Sequence, residues 1–585
     1  MATTTTTPVS DRYKWTALSN TTLGVFMAML DSSIVIISLP AIFRGIHLNP
    51  LLPANIGYLL WMLMGYLVVT AVLVVTFGRI GDIFGRVRMY NLGFAIFTGA
   101  SIALSLTPFT GPQGAMWLIL WRIVQGIGGA LLMANSMAIL TDAFPVNERG
   151  LAMGISMIAA TAGSFIGLVV GGLLADTNWR LVFWVNVPFG LFGTVWAYLK
   201  LKETGQRLAA KIDWWGNVTF GVGLVLVLVA ITYGIQPYGG HTMGWTSPKV
   251  LFCLIAGIGL LGLFVWVEHR VKDPMFDLQL FRIRAFAAGN LAGLLAAIGR
   301  GGLQFMLIIW LQGIWLPLHG YSFERTPLWA GIYMLPITGG FLVAGPISGW
   351  LSDRYGARPF ATGGMILSAA TFFLLMWLPA NFSFPVFGFL IFLNGVGSGM
   401  FAAPNTTAVM NSVPANQRGA ASGMRATFMN SGMVLSIGIF FSLMIAGLAS
   451  TLPHTLGGSL VAQGVPAADA SRIAHLPPVG SLFAAFLGYN PIRTLLGPHV
   501  LGSLPSSHVA YLTGKTYFPQ LISKPFMHGL RIVFSAATIM SVIAAAASWM
   551  RGGRYVHADD VEAFGGPAAD EPAEDAPPPE EWVPA

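Results

Sequence analysis

The chain has 585 residues, 55% of them hydrophobic and only 9% charged, with a mean hydropathy of +0.70. Soluble globular proteins carry about 25% charged residues, so a soluble enzyme and a nucleic-acid-binding protein are both excluded, despite a net charge of +8. One cysteine, Cys253, excludes an intramolecular disulfide and a cysteine metal cluster.

In chain order, residues 1–16, opening MATTTTTP, are polar and predict a disordered cytoplasmic tail. A bilayer core of about 30 Å needs roughly 20 apolar residues per helix. Fourteen runs meet that length: 17–39, 56–77, 89–107, 116–140, 151–174, 181–199, 214–234, 250–268, 285–313, 328–351, 360–379, 385–409, 419–447 and 528–550. The first is too long for a secretory signal and lacks a small-residue cleavage site. Residues 448–527, rich in Pro, Gly and Ala, form a long extracytoplasmic loop. Its apolar stretch LFAAFLGYNPI (482–492) is too short to cross and reads as a cap on helix ends, or alternatively as a lid that handles lipid or substrate. Residues 551–585 make an acidic, proline-rich cytoplasmic tail holding nine of the 23 acids.

Lysine and arginine set the orientation. With the N-terminus in the cytoplasm, cytoplasmic segments hold 19 of the 31 basic residues and the opposite side eight. Both termini are then cytoplasmic, in a multi-pass protein of the cell membrane.

The chain repeats itself. Gly78, Asp82 and Gly85 after span 2 recur as Gly349, Asp353 and Gly356 after span 10, at an offset of 271. NERGLAMG (147–154) returns as NQRGAASG (416–423), and QGIGG (125–129) as NGVGS (394–398), at an offset of 269. The expected organisation is a six-helix half over 17–199, a linker and two inserted helices over 200–284, and five helices over 285–447. The outer loop and a last helix over 528–550 complete the second half. Paired six-helix halves around a central path are a transporter architecture.

Acids in hydrocarbon are costly and are functional candidates by default. Of all the acids, only Asp31 lies well inside a span, and no histidine is mid-span. Asp31 is therefore the candidate proton carrier; the alternative is a carboxylate kept to bond neighbouring helices. With a rise of 1.5 Å per residue, Asp31 lies roughly 21 Å from the inner end of span 1 and Arg300 roughly 22 Å into span 9. Arg122 lies roughly 27 Å into span 4, and Arg425, roughly 9 Å in, is shallow enough to snorkel. Arg300 is either a structural arginine satisfied by carbonyls or a cavity residue facing Asp31. One deep acid against three deep or semi-deep arginines penalises a cationic ligand in a low-dielectric site. The expected cargo is neutral, zwitterionic or anionic. Trp61, Tyr66, Asn135, Gln304, Gln312, Asn394, Asn405 and Asn430 are further cavity candidates, each also readable as a packing residue. The loop residues Gly78, Asp82, Gly85, Arg86 and Arg88, with Asp353 and Arg354 in the repeat, read as a cytoplasmic gate.

GRIGDIFGRVR after span 2 resembles the loop signature of the major facilitator superfamily. DSSIVIISLP in span 1, LWRIVQGIGGA in span 4 and WRLVFWVNVPFG before span 6 resemble its fourteen-span drug/proton antiporter branch. Gly154, Gly163, Gly167, Gly171 and Gly172 fit that branch's span-5 signature, but Leu168 stands where the signature has proline. The resemblance implies a 6+2+6 all-α fold and export of amphipathic compounds against a proton gradient. It also implies an acid at Asp31 and an arginine at Arg122 that take part in coupling. No cofactor is expected, and a monomer suffices. A lipid or glycolipid exporter of the same fold, and a non-transporting receptor or scaffold, are the alternatives. QGIGG lacks a GK[ST], so nucleotide binding is rejected.

Overall fold

A computed structural model describes residues 11–552, apart from 50–51, 146–147, 204–212, 272–273, 275, 415–416, 475–476 and 489. Of the expected disordered tail, 551–585, residues from 553 onwards lie outside the described residues, as do the first ten residues of the chain, whereas Arg551 is buried and bonds Asn405.

Among the described residues, fourteen helices are long and apolar enough to cross a membrane. The first six are α1 (Arg12–Gly45), α2 (Asn55–Phe84), α3 (Arg86–Ser105), α4 (Gly111–Ala143), α5 (Ala152–Thr177) and α6 (Leu181–Lys200). Two more follow, α7 (Trp214–Gly234) and α8 (Pro248–Glu268). The last six are α9 (Arg284–Leu318), α10 (Thr326–Ser352), α11 (Ala357–Leu375), α12 (Phe384–Asn411), α13 (Ala421–Ala462) and α14 (Tyr517–Trp549). Every span expected from the sequence has its helix.

The helix pairs repeat between the halves. α1 packs on α5 as α9 packs on α13, α2 on α4 as α10 on α12, and α3 on α4 as α11 on α12. α7 and α8 pack on each other, and α7 also rests on α2 and α13. Glycine makes the closest of these contacts. A Cβ on Gly163 would meet the carbonyl of Phe26, and one on Gly167 the carbonyl of Leu30 and the hydroxyl of Ser33. Gly171 faces Ile34 and Ile37 in the same way. This small-residue seam lets two backbones touch where no hydrophobic force drives helices together in lipid. Gly172 instead meets the backbone of Pro327 and Leu328 on α10, while Gly154 faces open space. Gly85 and Gly356, equivalent in the repeat, have φ of 109° and 83°, which an L side chain adopts only with strain. Gly78 of the same signature meets nothing, so close packing does not explain it.

Two expected boundaries are corrected. The helix of α1 already includes residues 11–16, which were expected to be disordered. There Tyr13 Oη donates to the Lys202 carbonyl at 2.7 Å, and Lys14 Nζ bonds Glu148 Oε2 at 2.7 Å. The 448–527 loop is largely helical: α13 runs on to Ala462 and α14 begins at Tyr517. Leu448, Leu452, Leu456 and Leu460, spaced one turn apart, are all buried and continue the helix beyond the hydrocarbon as an amphipathic stripe. Four short helices fill the rest: Ala467–Ala474, Pro478–Phe486, Ile492–Gly502 and Ser506–Leu512. All nine residues of Pro478–Phe486 are buried, packed on α2, α13, α14 and a π-helical turn at Leu311–Trp315 in α9. Phe483 stacks on Phe441 and Phe486 packs edge-on to Phe305. The stretch is a cap on helix ends, the first of its two readings.

Gly167→Val should force α1 and α5 apart, an overpacking cost of about 1–3 kcal/mol. Thermal unfolding in detergent should show a lowered Tm, whereas Gly154→Val should leave it unchanged.

Candidate functional site

Asp31, on α1, is fully buried and accepts from three side chains. Arg122 of α4 forms an ion pair with Oδ2. Gln125 Nε2, one turn further along α4, donates to Oδ1 at 2.9 Å, and Asn186 Nδ2 of α6 donates to the same oxygen at 2.7 Å. The cage closes around these groups. Arg122 Nη1 donates to Gln125 Oε1 at 2.7 Å, Gln125 Nε2 also reaches Ser101 Oγ of α3 at 2.9 Å, and Arg122 Cζ lies 4.5 Å from the Tyr66 ring centroid on α2. Five helices of the N-terminal half thus converge on one carboxylate. The sequence names Asp31, Arg122 and Tyr66 of this cage but not Gln125, Ser101 or Asn186. Gln125 was legible, since a residue three positions after Arg122 shares its helix face. Asn186 lies within WRLVFWVNVPFG.

The depths also reconcile. Helix α1 begins five residues earlier and α4 ends three residues later than expected, which puts Asp31 roughly 28 Å and Arg122 roughly 32 Å from those ends.

A second site lies between the halves. A cavity of about 40 Å³ is lined by Thr161, Ser164 and Leu168 of α5, Arg300 and Gln304 of α9, Thr338 and Phe341 of α10, and Ser398 of α12. Met334, Ile337 and Gly395 complete the wall. The Arg300 guanidinium lies 4.7 Å from the Phe341 ring centroid, and no carboxylate lines the space. Drug-sized pockets run to about 300–1,000 Å³, so the halves must separate here before a substrate enters.

Two sequence expectations are corrected. Arg300 does line the cavity, but it does not face Asp31, which is enclosed within the N-terminal half. Of the other cavity candidates, only Gln304 joins Arg300 in the lining. Gln312 is fully buried in the π-helical turn of α9 and donates to the Ile37 carbonyl of α1 at 3.2 Å. Asn135 is buried on α4 against Gly81 of α2 and bonds its own helix at Leu131. Asn394 donates to Thr371 Oγ1 of α11 at 2.8 Å, and Asn405 accepts from Arg551 and donates to the Gly289 carbonyl at 3.1 Å. Arg425 donates to Thr406 Oγ1 at 2.6 Å. Trp61 packs half-buried against the hydrophobic core, and Asn430 is half-buried on α13.

Contacts between the halves include the Gln312 bond to Ile37, Gly331 of α10 against Leu168, and Arg44 Nη1 of α1, which donates to the Leu487 carbonyl beside the Pro478–Phe486 cap at 2.9 Å. Both of these hydrogen bonds between the halves involve α1.

The signature residues around the end of α2 bond to one another and to the linkers. Arg86 pairs with Asp82 at 2.7 Å and with Asp142 of α4 at 2.5 Å, Glu203 accepts from the Arg88 backbone N–H at 2.9 Å, and Arg79 donates to the Pro274 carbonyl at 2.9 Å. The ion pairs hold this rim of the N-terminal half together, with Asp82 paired to Arg86. Arg354 lies over Trp350, and the side chain of Asp353 lies outside the described residues.

The Major Facilitator Superfamily profile matches residues 21–216 and 207–437. The chain belongs to the major facilitator superfamily. It is 28% identical over 537 residues to the tetracenomycin C resistance and export protein of Streptomyces glaucescens, covering 91% of this chain and 90% of that protein. It is also 28% identical over 555 residues to the multidrug resistance protein Stp of Mycobacterium tuberculosis, covering 94% of each. In structure it superposes on a bacterial homologue of the lysosomal transporter Spinster with a TM-score of 0.55 at 16% identity, covering 93% of this chain and 97% of that one. That likeness concerns the fold. A superfamily member with fourteen apolar helices is a multi-pass membrane transporter.

Removing one partner from a buried ion pair costs about 3–5 kcal/mol because the other charge is left unpaired. Asp31→Asn and Arg122→Gln should therefore each lower the Tm, and the double variant should recover much of the loss. Additive losses in thermal unfolding would show that the two side chains do not act as a pair.

Proposed function

We propose that the protein is a proton-coupled exporter of neutral or anionic amphipathic small molecules, working as a monomer with both termini in the cytoplasm. The observation that carries this reading is the division of labour between two sites. The deep carboxylate is enclosed in the N-terminal half and paired to Arg122, while the adjacent cavity holds an arginine and no carboxylate. A proton has a fully buried acceptor inside one half, and a ligand has a separate chamber with the opposite preference.

The coupling follows from the ion pair. A proton on Asp31 abolishes its charge and leaves Arg122 unpaired in a dry interior, which favours rearrangement of the helices that hold them. Helix α1 carries Asp31, the Ile37 carbonyl and Arg44, so a shift of this helix reaches these contacts between the halves directly. Ile37 is six residues from Asp31, roughly 9 Å along the axis. Alternation then exchanges a proton entering from outside for a ligand leaving.

The relatives' names point to export of foreign compounds but differ in cargo. They include tetracenomycin C, riboflavin for a Clostridioides difficile transporter, and methyl viologen for a Salmonella typhimurium resistance protein. The cavity narrows the choice. Thr161, Ser164, Thr338, Ser398 and Gln304 offer hydrogen bonds, Phe341, Met334 and Ile337 offer apolar contact, and Arg300 supplies the one charge. A carboxylate, phenolate or polarised carbonyl on an apolar scaffold fits that set. A dication would meet uncompensated repulsion in a site of low dielectric.

Asp31→Asn should abolish uphill, proton-driven export from energised vesicles while preserving downhill substrate exchange. Uphill transport at the wild-type rate would sink the coupling role. Arg300→Ala should weaken export of an anionic amphiphile by about tenfold or more, as expected for loss of a charge-assisted hydrogen bond. It should spare or improve export of a monocation. Competition assays separate these outcomes, and unimpaired, Arg300-independent transport of a dicationic dye would show the cavity to be misassigned.

A further inference from the structure

The rims carrying the repeated loop signature are built from different chemistry in the two halves. In the N-terminal half Arg86 is held by Asp82 and Asp142, and Lys14 by Glu148. The repeat carries Arg86 onto Ala357 at the offset of 271, and Asp142 and Glu148 onto Asn411 and Gln417 at the offset of 269. The second rim keeps an acid at Asp353 but has amides in place of Asp142 and Glu148, and it carries two arginines of its own, Arg354 and Arg358, on either side of the turn at Gly356.

Each sits on an indole ring. Arg354 Cζ lies 4.4 Å from the Trp350 ring centroid, and Arg358 Cζ lies 3.9 Å from that of Trp549 at the end of α14. Arg354 is exposed and Arg358 half-buried. Among the described residues no carboxylate pairs with either guanidinium. Trp350 is 55% exposed and Trp549 57% exposed, each at the end of its helix. Exposed tryptophans at span ends belong to the headgroup level of a bilayer. A ring face covers one side of a guanidinium but leaves its in-plane N–H edge free, the geometry that grips phosphate oxygens.

We propose that this rim binds the headgroup of an anionic phospholipid, its phosphate accepting from Arg354 and Arg358 and its acyl chains lying against the exposed face beside Trp549. Anionic lipids of the cytoplasmic leaflet draw basic side chains at this level. The acidic tail, whose acids begin at Asp559, is the rival occupant. The lipid fits better: the guanidiniums are held by exposed indoles at the ends of spanning helices, the level of a bilayer's headgroups.

The test uses the full-length protein in detergent, titrated with phosphatidylglycerol or phosphatidylcholine and followed by native mass spectrometry and thermal unfolding. Phosphatidylglycerol should bind and raise the Tm, and phosphatidylcholine should not. The Arg354→Gln/Arg358→Gln variant should lose affinity on the order of tenfold. Arg358→Lys, which keeps the charge but not the planar fork, should fall between and serves if the double variant folds poorly. A full-length variant with Asp559→Asn, Asp560→Asn and Glu562→Gln should bind the lipid as the wild type does. Equal affinity of wild type and arginine variants, or full competition by millimolar inorganic phosphate, would overturn the proposal. So would lipid binding that emerges only once the tail is neutralised, which would make the tail the occupant.

Discussion

The structure depends on one ion pair placed where ion pairs are most expensive. Asp31 and Arg122 lie deep in a chain with so few charges that fourteen helices can cross a bilayer, and neither touches solvent. Desolvating two ions costs several kcal/mol each, and their attraction offsets this only when further hydrogen bonds satisfy them. Gln125, Asn186 and Ser101 supply those bonds, and the Tyr66 ring covers the guanidinium. Such an arrangement is a poor way to gain stability and a good way to make helix packing depend on one proton.

Around that pair the halves differ in what they hold together. The N-terminal half is clamped at its cytoplasmic rim by ion pairs and along α1 and α5 by a glycine seam. It meets the other half through packing of α2 on α13 and α5 on α10, and through hydrogen bonds from α1, the helix that carries the carboxylate. The cavity beside α5 is small in this arrangement of the halves. The cap, with every residue of Pro478–Phe486 buried, packs over α2, α13 and α14.

Much of this was legible in the sequence, for identifiable reasons. The spans were readable because a backbone in lipid must satisfy its own hydrogen bonds, which forces long apolar runs into helices. The repeat was readable because glycine at Gly85 and Gly356 answers a backbone requirement that no other residue meets easily. Asp31 was conspicuous because nothing dilutes a single acid in hydrocarbon. The polar candidates fared worse: of eight aromatic and amide residues, Gln304 lines the cavity and Tyr66 joins the cage around Asp31, while Asn135, Asn394 and Asn405 serve contacts between or within helices. An amide in a span reveals that it needs a partner, not which side of the helix the partner lies on. The ends of α1, α13 and α14 were missed because a helix beyond the hydrocarbon needs only one apolar stripe, which a span-length filter discards.

The central claim is that the ligand in the arginine-lined cavity and the proton on Asp31 are linked through α1. Proton release measured in weakly buffered detergent solution, as an anionic amphiphile is added to the purified protein, tests it most directly. The wild type should release up to one proton per bound ligand, and Asp31→Asn should bind the ligand with no release. Equal release from both proteins, or none from the wild type at saturating ligand, would contradict the account.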